Sequence, residues 1–480
     1  MKSIQDISRI IIEIEDKHKL FDIYINGIPF WWFVRVKLIN MLYRQSNHIA
    51  VSAGTAEALS TRELLLKLKD SFHLNITRQH RVLAVSTSSA RREIVEGKDF
   101  DIFFDFLSWT NCADSYAVLE TPDRISHSKQ PYSPFRYYGD QIILWGNLYR
   151  KAPLLVVNKK VDQQLSHISR RVSSALGHSG ILLPWEEILT LMRKEFAFAS
   201  VAIRISSGIL NEIQPQFLLV EDGYSPSHMA IQLAAKKRGV PVIELQHGLI
   251  VPDNYSYKFG IQDVGQLRNS PFPDKLWVYG EHFKEVLQQN RFLRSEDIVV
   301  IGNPYLWYKL NRMKDRKQQG NKILIAAQPE YSAFFTKLTL ELSRLVENDI
   351  ILKPHPSEIP RAREIYKDLI GNKKVTLVTS NIPIYELFCQ SAFHIAVGSM
   401  THLEALCFGI KDIIIRKGGF DRYFTFLMEK GIPAVEDIAE IVDVIRSYPD
   451  ISQVSSYVRN QVFNINENPL ASVETALRSI

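Results

Sequence analysis

The stretch FHIAVGSMTHLEALCFGIKDIIIRKG, residues 393–418, contains one complete strand–helix–strand unit. Two apolar runs of strand length, FHIAVGS (393–399) and KDIIIRKG (411–418), flank the helical segment THLEALCFG. Strands that are apolar throughout, rather than in alternation, are typical of parallel sheets that are buried on both faces. The stretch therefore predicts an α/β protein with a parallel sheet.

The same alternation of apolar runs and helical segments extends towards the N-terminus. In the second half of the chain it predicts further strands at 322–330, 349–356 and 375–380. In the first half it predicts strands at residues 81–88, 100–106, 153–158, 216–223, 241–248 and 275–280. We therefore expect two Rossmann-like, doubly wound domains that face a cleft.

The length of the chain supports more than one domain. Single hydrophobic cores stop growing at roughly 250 to 300 residues, and this chain has 480. The breaker Gly302-Asn303-Pro304 predicts a hinge. The predicted organisation is a helical N-terminal segment, a first Rossmann-like domain, a second Rossmann-like domain and a C-terminal helix that crosses back, at residues 1–80, 81–305, 306–455 and 456–480 respectively.

Composition excludes several classes of protein. Hydrophobic residues make up 46% and charged residues 23% of the chain, as in ordinary globular proteins. The three cysteines are isolated, which predicts neither a zinc site nor a disulfide framework. The first residues carry acids among the apolar side chains, and no run approaches 18 to 20 apolar residues, so we expect no signal peptide, no membrane-spanning helix and a cytoplasmic location.

The net charge of +6 is a mild excess that is concentrated in a few basic runs. Examples are SARR (89–92) and NRMKDRKQQGNK (311–322). Such runs are usually solvated surface. The alternative is attraction to a polyanion or to an anionic membrane surface, which would give peripheral membrane association.

Polar or ionisable residues follow five of the predicted strands. Ligands of open parallel sheets bind beyond the carboxyl ends of the strands, so these residues are candidates for a site. They are Glu221 and Asp222, then Gln246 and His247, then Gln328 and Glu330, then Lys353 and His355, and finally Ser399 with Thr401 and Glu404.

The candidates of the second domain predict a phosphate site. Ser399 and Thr401 lie where a strand turns directly into a helix, and free amides and hydroxyls there favour an anion; the alternative is an ordinary helix cap. Glu404 could bind vicinal hydroxyls such as those of a ribose. Lys353 and His355 would add donors to the same phosphate, with the imidazole held stiffly between two prolines. A buried structural histidine and a metal ligand are the alternatives for His355.

The metal interpretation lacks partners in the sequence. No histidine pair has the H-x-x-x-H or H-E-x-x-H spacing of a metal site. Asp99 and Asp101 are one residue apart, but they precede the end of their predicted strand, and we interpret the pair as chance. The sequence therefore predicts a site without a metal.

The candidates of the first domain predict a general base. Asp222 ends an apolar strand beside Glu221, and adjacent acids raise each other's pKa. The alternative role of Asp222 is to cap the following helix, for which Ser225 is already a good candidate. His247 ends the next strand and could be the base instead, or could contact an acceptor or a developing negative charge. The choice between Asp222 and His247 stays open at this point.

Three of these motifs together resemble the GT-B class of sugar transferases. EDG (221–223), KPHP (353–356) and Gly-Ser-x-Thr (398–401) are most similar to the D/E-D-G, H-P and Ser/Thr motifs of bacterial sialyltransferases and polysialyltransferases. The resemblance implies that Asp222 is the general base. It also implies that His355 binds the donor phosphate and helps the nucleotide leave, and that Ser399 holds the same phosphate.

A second resemblance concerns QHG (246–248), QP (328–329) and KPHP. These are similar to motifs of capsule Kdo transferases and of CDP-glycerol polymerases, in which a His-Gly pair supplies the base. Sialyltransferases do not generally carry such a QHG, so the donor sugar stays open. Both groups imply a cytidine nucleotide, and the likeness covers mainly residues 216–415.

The resemblance implies a glycosyltransferase that needs neither metal nor cofactor and works at the inner face of the membrane. It would move a CMP-activated nonulosonic acid, such as sialic acid or Kdo, to a hydroxyl of a glycan or lipid-linked glycan of capsule or lipopolysaccharide. Gln328 and Glu330 are expected on the donor side and Glu221 and Gln246 on the acceptor side, with no nucleic-acid partner. The alternatives are a CDP-polyol or UDP-sugar transferase, a nucleotide-sugar epimerase, and a non-catalytic glycan-binding subunit of the same fold.

Overall fold

The computed structural model describes residues 3–46, 79–87, 92–121, 127, 130–252, 254–261, 267, 269–290, 293–313 and 320–480. Most of the two basic runs named above, and residues 47–78 of the predicted N-terminal segment, lie outside this part. The chain divides into two compact units. Unit 1 comprises Met1–Val278, Lys284–Val300 and Val473–Ile480, and unit 2 comprises Tyr279–Phe283 and Ile301–Ser472.

The core of unit 1 is a seven-stranded parallel sheet with the order β11-β10-β9-β8-β3-β6-β7. Its strands, in chain order, are β3 Val82–Thr87, β6 Tyr116–Thr121, β7 Arg136–Tyr138, β8 Phe217–Val220, β9 Val242–Leu245, β10 Lys275–Val278 and β11 Ile298–Val300. After β3 the chain builds the sheet to one side and then returns to add β8 on the other side. The switch point of this doubly wound sheet therefore lies between β3 and β8.

The described residues of unit 1 begin with a helical segment. Ser3 and Asp6 form a reciprocal capping box that starts the first helix. The remaining elements of unit 1 are α1 Ile4–His18, β1 Tyr24–Ile25, β2 Ile28–Pro29, α2 Trp31–Ser46, β4 Arg92–Val95, β5 Lys98–Asp101, α3 Asp140–Lys151, α4 Lys159–His178, α5 Trp185–Ile213, α6 Pro226–Lys236 and α7 Glu281–Gln288, which begins within the Tyr279–Phe283 segment of unit 2.

The core of unit 2 is a six-stranded parallel sheet with the order β14-β13-β12-β15-β16-β17. Its strands are β12 Lys322–Ala326, β13 Ile350–Lys353, β14 Val375–Leu377, β15 Ser391–Ala396, β16 Lys411–Ile415 and β17 Ala434–Val435. The direction of winding reverses between β12 and β15. Its helices are α8 Pro304–Arg312, α9 Ser332–Leu345, α10 Ala362–Ile365, α11 Ile384–Phe388, α12 Thr401–Cys407, α13 Thr425–Met428, α14 Ile438–Arg446, α15 Ser452–Tyr457 and α16 Pro469–Arg478, whose last residues belong to unit 1.

The predicted α/β class with two doubly wound, Rossmann-like sheets is confirmed by these strand orders. Residues 153–158 are not a strand, however. Pro153–Leu155 form a 3-10 turn, and α4 begins at Lys159. Pro153 lacks an amide hydrogen and starts this turn, and Leu154 and Leu155 are each 73% exposed, so the apolar run is not a core element.

A second predicted strand, 100–106, is also wrong for most of its length. Lys98–Asp101 is the second strand of an antiparallel hairpin with β4, and Asp105–Trp109 is a 3-10 helix. The neighbour of β3 on the side away from β8 is β6, whose sequence YAVLET was not predicted as a strand. Its buried Glu120 interrupts the apolar pattern on which the prediction depended.

By length and composition, α5 is apolar enough to cross a membrane, although the sequence suggested no such segment. In the structure it packs against α2, α3, α4 and α6. Of its most apolar window, 56% is buried inside the protein. These contacts are those of a core helix of unit 1.

Candidate functional site

The switch point of unit 2 brings together residues from two predicted motifs. The Gln328 side chain follows β12, and its Nε2 donates to the Gly398 carbonyl oxygen at 3.2 Å. In return, the Gly398 amide donates to Gln328 Oε1 at 3.1 Å. This reciprocal pair joins the carboxyl ends of β12 and β15, where ligands of doubly wound sheets bind. Gln328 therefore shapes the turn that carries Ser399 and Thr401.

The Ser399–Thr401 turn offers hydroxyls rather than a row of free amides. The Thr401 amide donates to Ser399 Oγ at 3.2 Å, and the His402 amide donates to the Ser399 carbonyl at 3.2 Å. Since α12 spans only seven residues, its dipole adds little to an anion site. Thr401 Oγ1 is buried and has no hydrogen-bond partner among the described residues. The two hydroxyl protons, rather than the helix, are the donors that this turn could give a phosphate.

His355 lies two residues after the end of β13 and is exposed. Its Nδ1 lies 2.7 Å from Ser357 Oγ and 3.3 Å from the Ser357 amide, which can only donate. Nδ1 therefore accepts, and the proton of the neutral ring is on Nε2. Lys353 Nζ donates to the Ile382 carbonyl at 2.8 Å. A local turn thus holds the His355 imidazole as an Nε2–H donor.

Glu330 and Glu404, the two acids predicted on the donor side, differ in their surroundings. Glu330 is exposed in the 3-10 helix Pro329–Tyr331. Glu404 is 3% exposed, and its Oε1 accepts a hydrogen bond from the Tyr385 hydroxyl at 3.1 Å. Glu404 is therefore tied into the interior of unit 2, whereas Glu330 is open to solvent.

At the switch point of unit 1, a carboxyl group connects the ends of β8 and β3. Glu221 Oε1 accepts hydrogen bonds from the Thr87 amide at 2.7 Å and from the Thr87 hydroxyl at 2.8 Å. Burial raises the pKa of Glu221 well above its usual range, and the nearby Asp101 raises it further. Burial therefore favours the neutral form of Glu221, which links the ends of β8 and β3.

Asp222 forms a turn at the same strand end. Its Oδ1 accepts hydrogen bonds from the Tyr224 and Ser225 amides, each at 3.1 Å. Ser225 occupies the cap position of α6, but its side chain makes no capping hydrogen bond. The Asp222 carboxylate therefore orders the start of α6 and is only partly buried, so both roles considered from the sequence remain compatible with its position.

His247 lies at the end of β9 and its Nε2 is 3.3 Å from the Tyr224 hydroxyl. Burial lowers the pKa of His247, although Asp222 and the Glu221 backbone oppose this effect. A neutral imidazole can accept a proton, as a general base must. Gln246, its neighbour, is buried and donates from Nε2 to the Gly248 carbonyl at 2.8 Å, so it shapes the turn that carries His247.

Two residues near this edge were not singled out as site residues in the sequence. Glu244 lies within β9, and its Oε1 accepts a hydrogen bond from the Tyr257 hydroxyl at 2.6 Å. A Cβ atom on Gly223 would lie 2.3 Å from Glu244 Oε2, so only glycine leaves room for this carboxyl. Burial raises the pKa of Glu244 to about 8. His228, from α6, approaches the Asp222 carbonyl with Nδ1 at 2.9 Å.

A charged cluster occupies the β6–β7 side of unit 1. His127 lies 2.7 Å from Glu120 and 2.8 Å from Asp140, and Arg136 donates to Glu120 at 3.0 Å and to Asp105 at 3.3 Å. Burial would lower the pKa of His127, but hydrogen bonds to Asp140 and Glu120 raise it to about 9. The buried acids are thus compensated by two cations.

The acids considered as a metal pair do not act together. Asp101 is fully buried, and its carboxylate accepts hydrogen bonds from the Ser86 hydroxyl and the Phe103 amide. The backbone of Asp99 is hydrogen-bonded to a later segment of the same chain, and its amide donates to the Gln130 carbonyl at 2.8 Å. Asp101 is therefore a structural acid of unit 1.

Three buried residues of unit 2, His394, His402 and Asp412, are close enough to hold a metal ion. His394 Nδ1 lies 2.6 Å from Asp412 Oδ1, and His402 Nδ1 lies 2.8 Å from Oδ2. These are hydrogen-bond lengths, and the imidazole nitrogens donate to the carboxylate. Burial alone would raise the pKa of Asp412, but the two imidazoles lower it, while burial lowers the pKa of His394. The group is a hydrogen-bonded triad beneath the Ser399–Thr401 turn.

The structure thus places the predicted residues in two groups, one in each unit. In unit 1, Asp222, His247 and Glu221 share an edge with Gln246. In unit 2 the residues that lie at the ends of β12, β13 and β15 are Gln328, Glu330, Lys353, His355, Ser399 and Thr401. Glu404 belongs to the interior next to this group.

No family model and no curated protein matches the chain. Among solved structures, UDP-GlcNAc 2-epimerase from Methanocaldococcus jannaschii is 12% identical with a TM-score of 0.48, and the match covers 83% of this chain and 99% of that one. UDP-GlcNAc 2-epimerase from Neisseria meningitidis bound to UDP-GlcNAc is 16% identical with a TM-score of 0.47, covering 83% and 99%. α,α-Trehalose 6-phosphate synthase from Burkholderia multivorans is 9% identical with a TM-score of 0.45, covering 84% and 96%. At these low values the fold class rests on the two sheets themselves.

Proposed function

We propose that the protein is a metal-independent glycosyltransferase that uses a nucleotide sugar as its donor and a glycan hydroxyl as its acceptor. The observation that carries the proposal is the edge of unit 2, where β12, β13 and β15 end beside a switch point and are followed by Gln328, His355 and Ser399. Such an edge is where doubly wound sheets bind nucleotides.

Unit 2 would stabilise the departing nucleotide. The Nε2–H of His355 would donate to a phosphate oxygen, and the hydroxyls of Ser399 and Thr401 would donate to the same group. Lys353 would add positive charge. Donors that are held in place before the reaction stabilise the charge that develops on a leaving group, and the Ser357 contact already fixes the His355 ring.

Unit 1 would remove the acceptor proton. Asp222 and His247 are both candidates for the base, since the Asp222 carboxylate is ordered by two amides and burial favours the neutral form of His247. Glu221, as a neutral buried acid, would hold the strand ends in place and not take the proton. Gln246 would set the position of His247 through its bond to the Gly248 carbonyl.

The proposed donor is a CMP-activated nonulosonic acid, such as sialic acid or Kdo, and the proposed acceptor is a capsule or lipopolysaccharide glycan, free or lipid-linked. The enzyme would need no cofactor and would work in the cytoplasm at the inner face of the membrane. The motif resemblance supports this choice. CDP-polyol and UDP-sugar donors are the alternatives within the same reaction class.

A nucleotide-sugar epimerase is the second candidate function. It is favoured by the acids of unit 1 near the carboxyl ends of the strands of its main sheet, namely Glu120, Glu221 and Asp222. An epimerase moves a proton on the sugar itself and needs no acceptor. Incubation with donor alone separates the two functions.

The test combines binding and turnover. The full chain is heated with CMP, CDP, UDP, GDP and their sugars; a nucleotide at 100 times its Kd should raise the Tm by about 5 °C, and we expect CMP to do so. Glycan acceptors are then added with the binding donor. Sugar transfer supports the proposal, whereas an epimerised sugar without acceptor supports the second candidate. Glycan binding without any nucleotide binding would instead indicate a non-catalytic subunit.

A further inference from the structure

The segment between α3 and α4 has an unusual distribution of charge. From residue 141 to residue 161 the sequence contains no Asp or Glu, and its four charged residues are Arg150, Lys151, Lys159 and Lys160. Arg150 is engaged inside unit 1, where it donates to Glu195 at 3.0 Å and lies over the ring of Phe198. The three lysines are exposed.

Large apolar side chains are exposed in the same segment. Leu148 is 43% exposed at the end of α3, and Leu154 and Leu155 are each 73% exposed. The 3-10 turn that carries the pair is hydrogen-bonded, with the Val156 and Val157 amides donating to the Pro153 carbonyl at 3.0 and 2.9 Å. The turn also packs against α5. The two leucines are therefore held out from a fixed turn.

Exposed apolar side chains alone would not indicate a partner, because they are common on protein surfaces. Unit 2 supplies a comparison, since Leu345 is 55% exposed and Ile370 is 60% exposed. Acids stand close to both of these in the sequence, Glu347 and Asp349 after the first and Asp368 before the second. What distinguishes residues 148–160 is the pairing of adjacent exposed leucines with lysines in the absence of acids.

We propose that residues 148–160 form a membrane-docking surface, with Leu154 and Leu155 entering the bilayer interface and Lys151, Lys159 and Lys160 binding anionic phospholipid headgroups. Apolar side chains gain free energy in the interface, and lysines near an anionic surface are attracted by its potential. A nucleic acid would use the lysines but would leave the leucines in water. The chemistry of the surface, cations beside outward-facing leucines, is complementary to an anionic bilayer.

The proposed function places the enzyme at the inner face of the membrane, and this surface would attach it there. The inference rests on the proposed function only for the choice of a membrane-bound acceptor. Binding to vesicles is measured without nucleotide sugar. Failure of vesicle binding would therefore leave the transfer reaction untouched, and failure of transfer would leave the surface untouched.

The experiment is co-sedimentation of the full chain with vesicles of phosphatidylcholine alone or of phosphatidylcholine and phosphatidylglycerol at three to one. We expect binding to the anionic vesicles, weakened by salt. Leu154→Ser with Leu155→Ser should weaken it at least tenfold. Each change among Lys151→Gln, Lys159→Gln and Lys160→Gln should weaken it about fivefold.

The matched control is Leu345→Ser with Ile370→Ser, which removes two apolar side chains of unit 2 that are more than half exposed and should leave vesicle binding unchanged. The changed side chains are exposed, so the Tm of each variant should equal that of the parent chain. No binding to anionic vesicles, or equal losses in the control and the leucine variant, would overturn the proposal. Binding of polyuridylate that the lysine changes abolish, with vesicle binding unaffected by any change, would indicate a nucleic-acid surface instead.

Discussion

At both switch points of the molecule a side chain joins two strand ends, but the side chains around the two points differ in chemistry. In unit 1 a buried carboxyl group, Glu221, joins β8 to β3 through Thr87. In unit 2 an amide, Gln328, joins β12 to β15 through Gly398. Around the first lie acids with raised pKa values, whereas beside the second stands an exposed imidazole with its tautomer fixed.

The difference shows what each edge can do. Burial changes the pKa values of acids and imidazoles and so prepares groups that exchange protons. An edge with an exposed imidazole and a lysine is instead suited to bind an anion that must also leave. Under the proposed function, unit 1 would therefore carry out proton transfer and unit 2 would bind the phosphate, and the two roles can be tested separately.

The largest expected effect comes from Asp222→Asn. The asparagine oxygen can still accept the Tyr224 and Ser225 amides, so the turn is kept while the base is lost. If Asp222 is the base, kcat should fall about 10²- to 10⁴-fold with the Kd of the nucleotide unchanged. His247→Gln is the companion variant, measured with the same donor and acceptor. Near-full activity of both variants would contradict a base in unit 1.

The next largest effect is expected from His355→Ala. Loss of a hydrogen bond to a charged phosphate should raise the Kd of the nucleotide about 10- to 100-fold and lower kcat as well. Ser357→Ala keeps the ring but removes the hydroxyl that holds Nδ1, so its effect should be only a few-fold. Glu347→Gln, which changes an exposed acid before the amino end of β13, serves as the control. Equal effects of the histidine and control variants would contradict phosphate binding by His355.

Much of this arrangement was predictable because it depends on local sequence. The strands β8 and β13 are uninterrupted apolar runs that end in polar residues, so both the strand and its functional end can be recognised. The run at 153–158 has the same composition, and only the structure shows that its leucines face solvent. Apolar composition alone does not show whether a short run is buried in the core or exposed at the surface.

The remaining features depend on partners that are distant in sequence. Glu120 is buried in β6 because Arg136 and His127 compensate its charge. The triad of unit 2 requires the register that pairs His394 with Asp412 across β15 and β16. Likewise, the space at Gly223 is filled by Glu244 from the neighbouring strand. No spacing in the sequence reports these contacts.

Gly223→Ala tests the packing at the edge of unit 1. The new Cβ atom would meet Glu244 Oε2 at 2.3 Å, so the carboxyl must move, and we expect a loss of about 1–3 kcal/mol in the free energy of unfolding. Gly248→Ala is the matched control from the neighbouring motif, because a Cβ atom there meets nothing within 4 Å. Urea unfolding of both variants measures the difference. Equal stabilities would show that Glu244 does not need the space at Gly223.

The smallest effect is the dependence of stability on pH, which should have opposite signs for the groups with raised pKa values in unit 1 and for His394 in unit 2. The lowered pKa of His247 in unit 1 acts in the same direction as that of His394. The folded pKa values of Glu244, about 8, and His127, about 9, lie above their unfolded values, so their contributions weaken unit 1 as pH rises from 7 to 8. The folded pKa of His394 is lowered, so its contribution to unit 2 is complete above the unfolded value near 6.5 and is lost as pH falls below it. Hydrogen exchange of peptides from each sheet should show this, and Glu244→Gln should remove roughly 1 kcal/mol per pH unit from the response of unit 1. A parallel response of both sheets would mean that the buried groups of the two edges do not differ in the way their surroundings indicate.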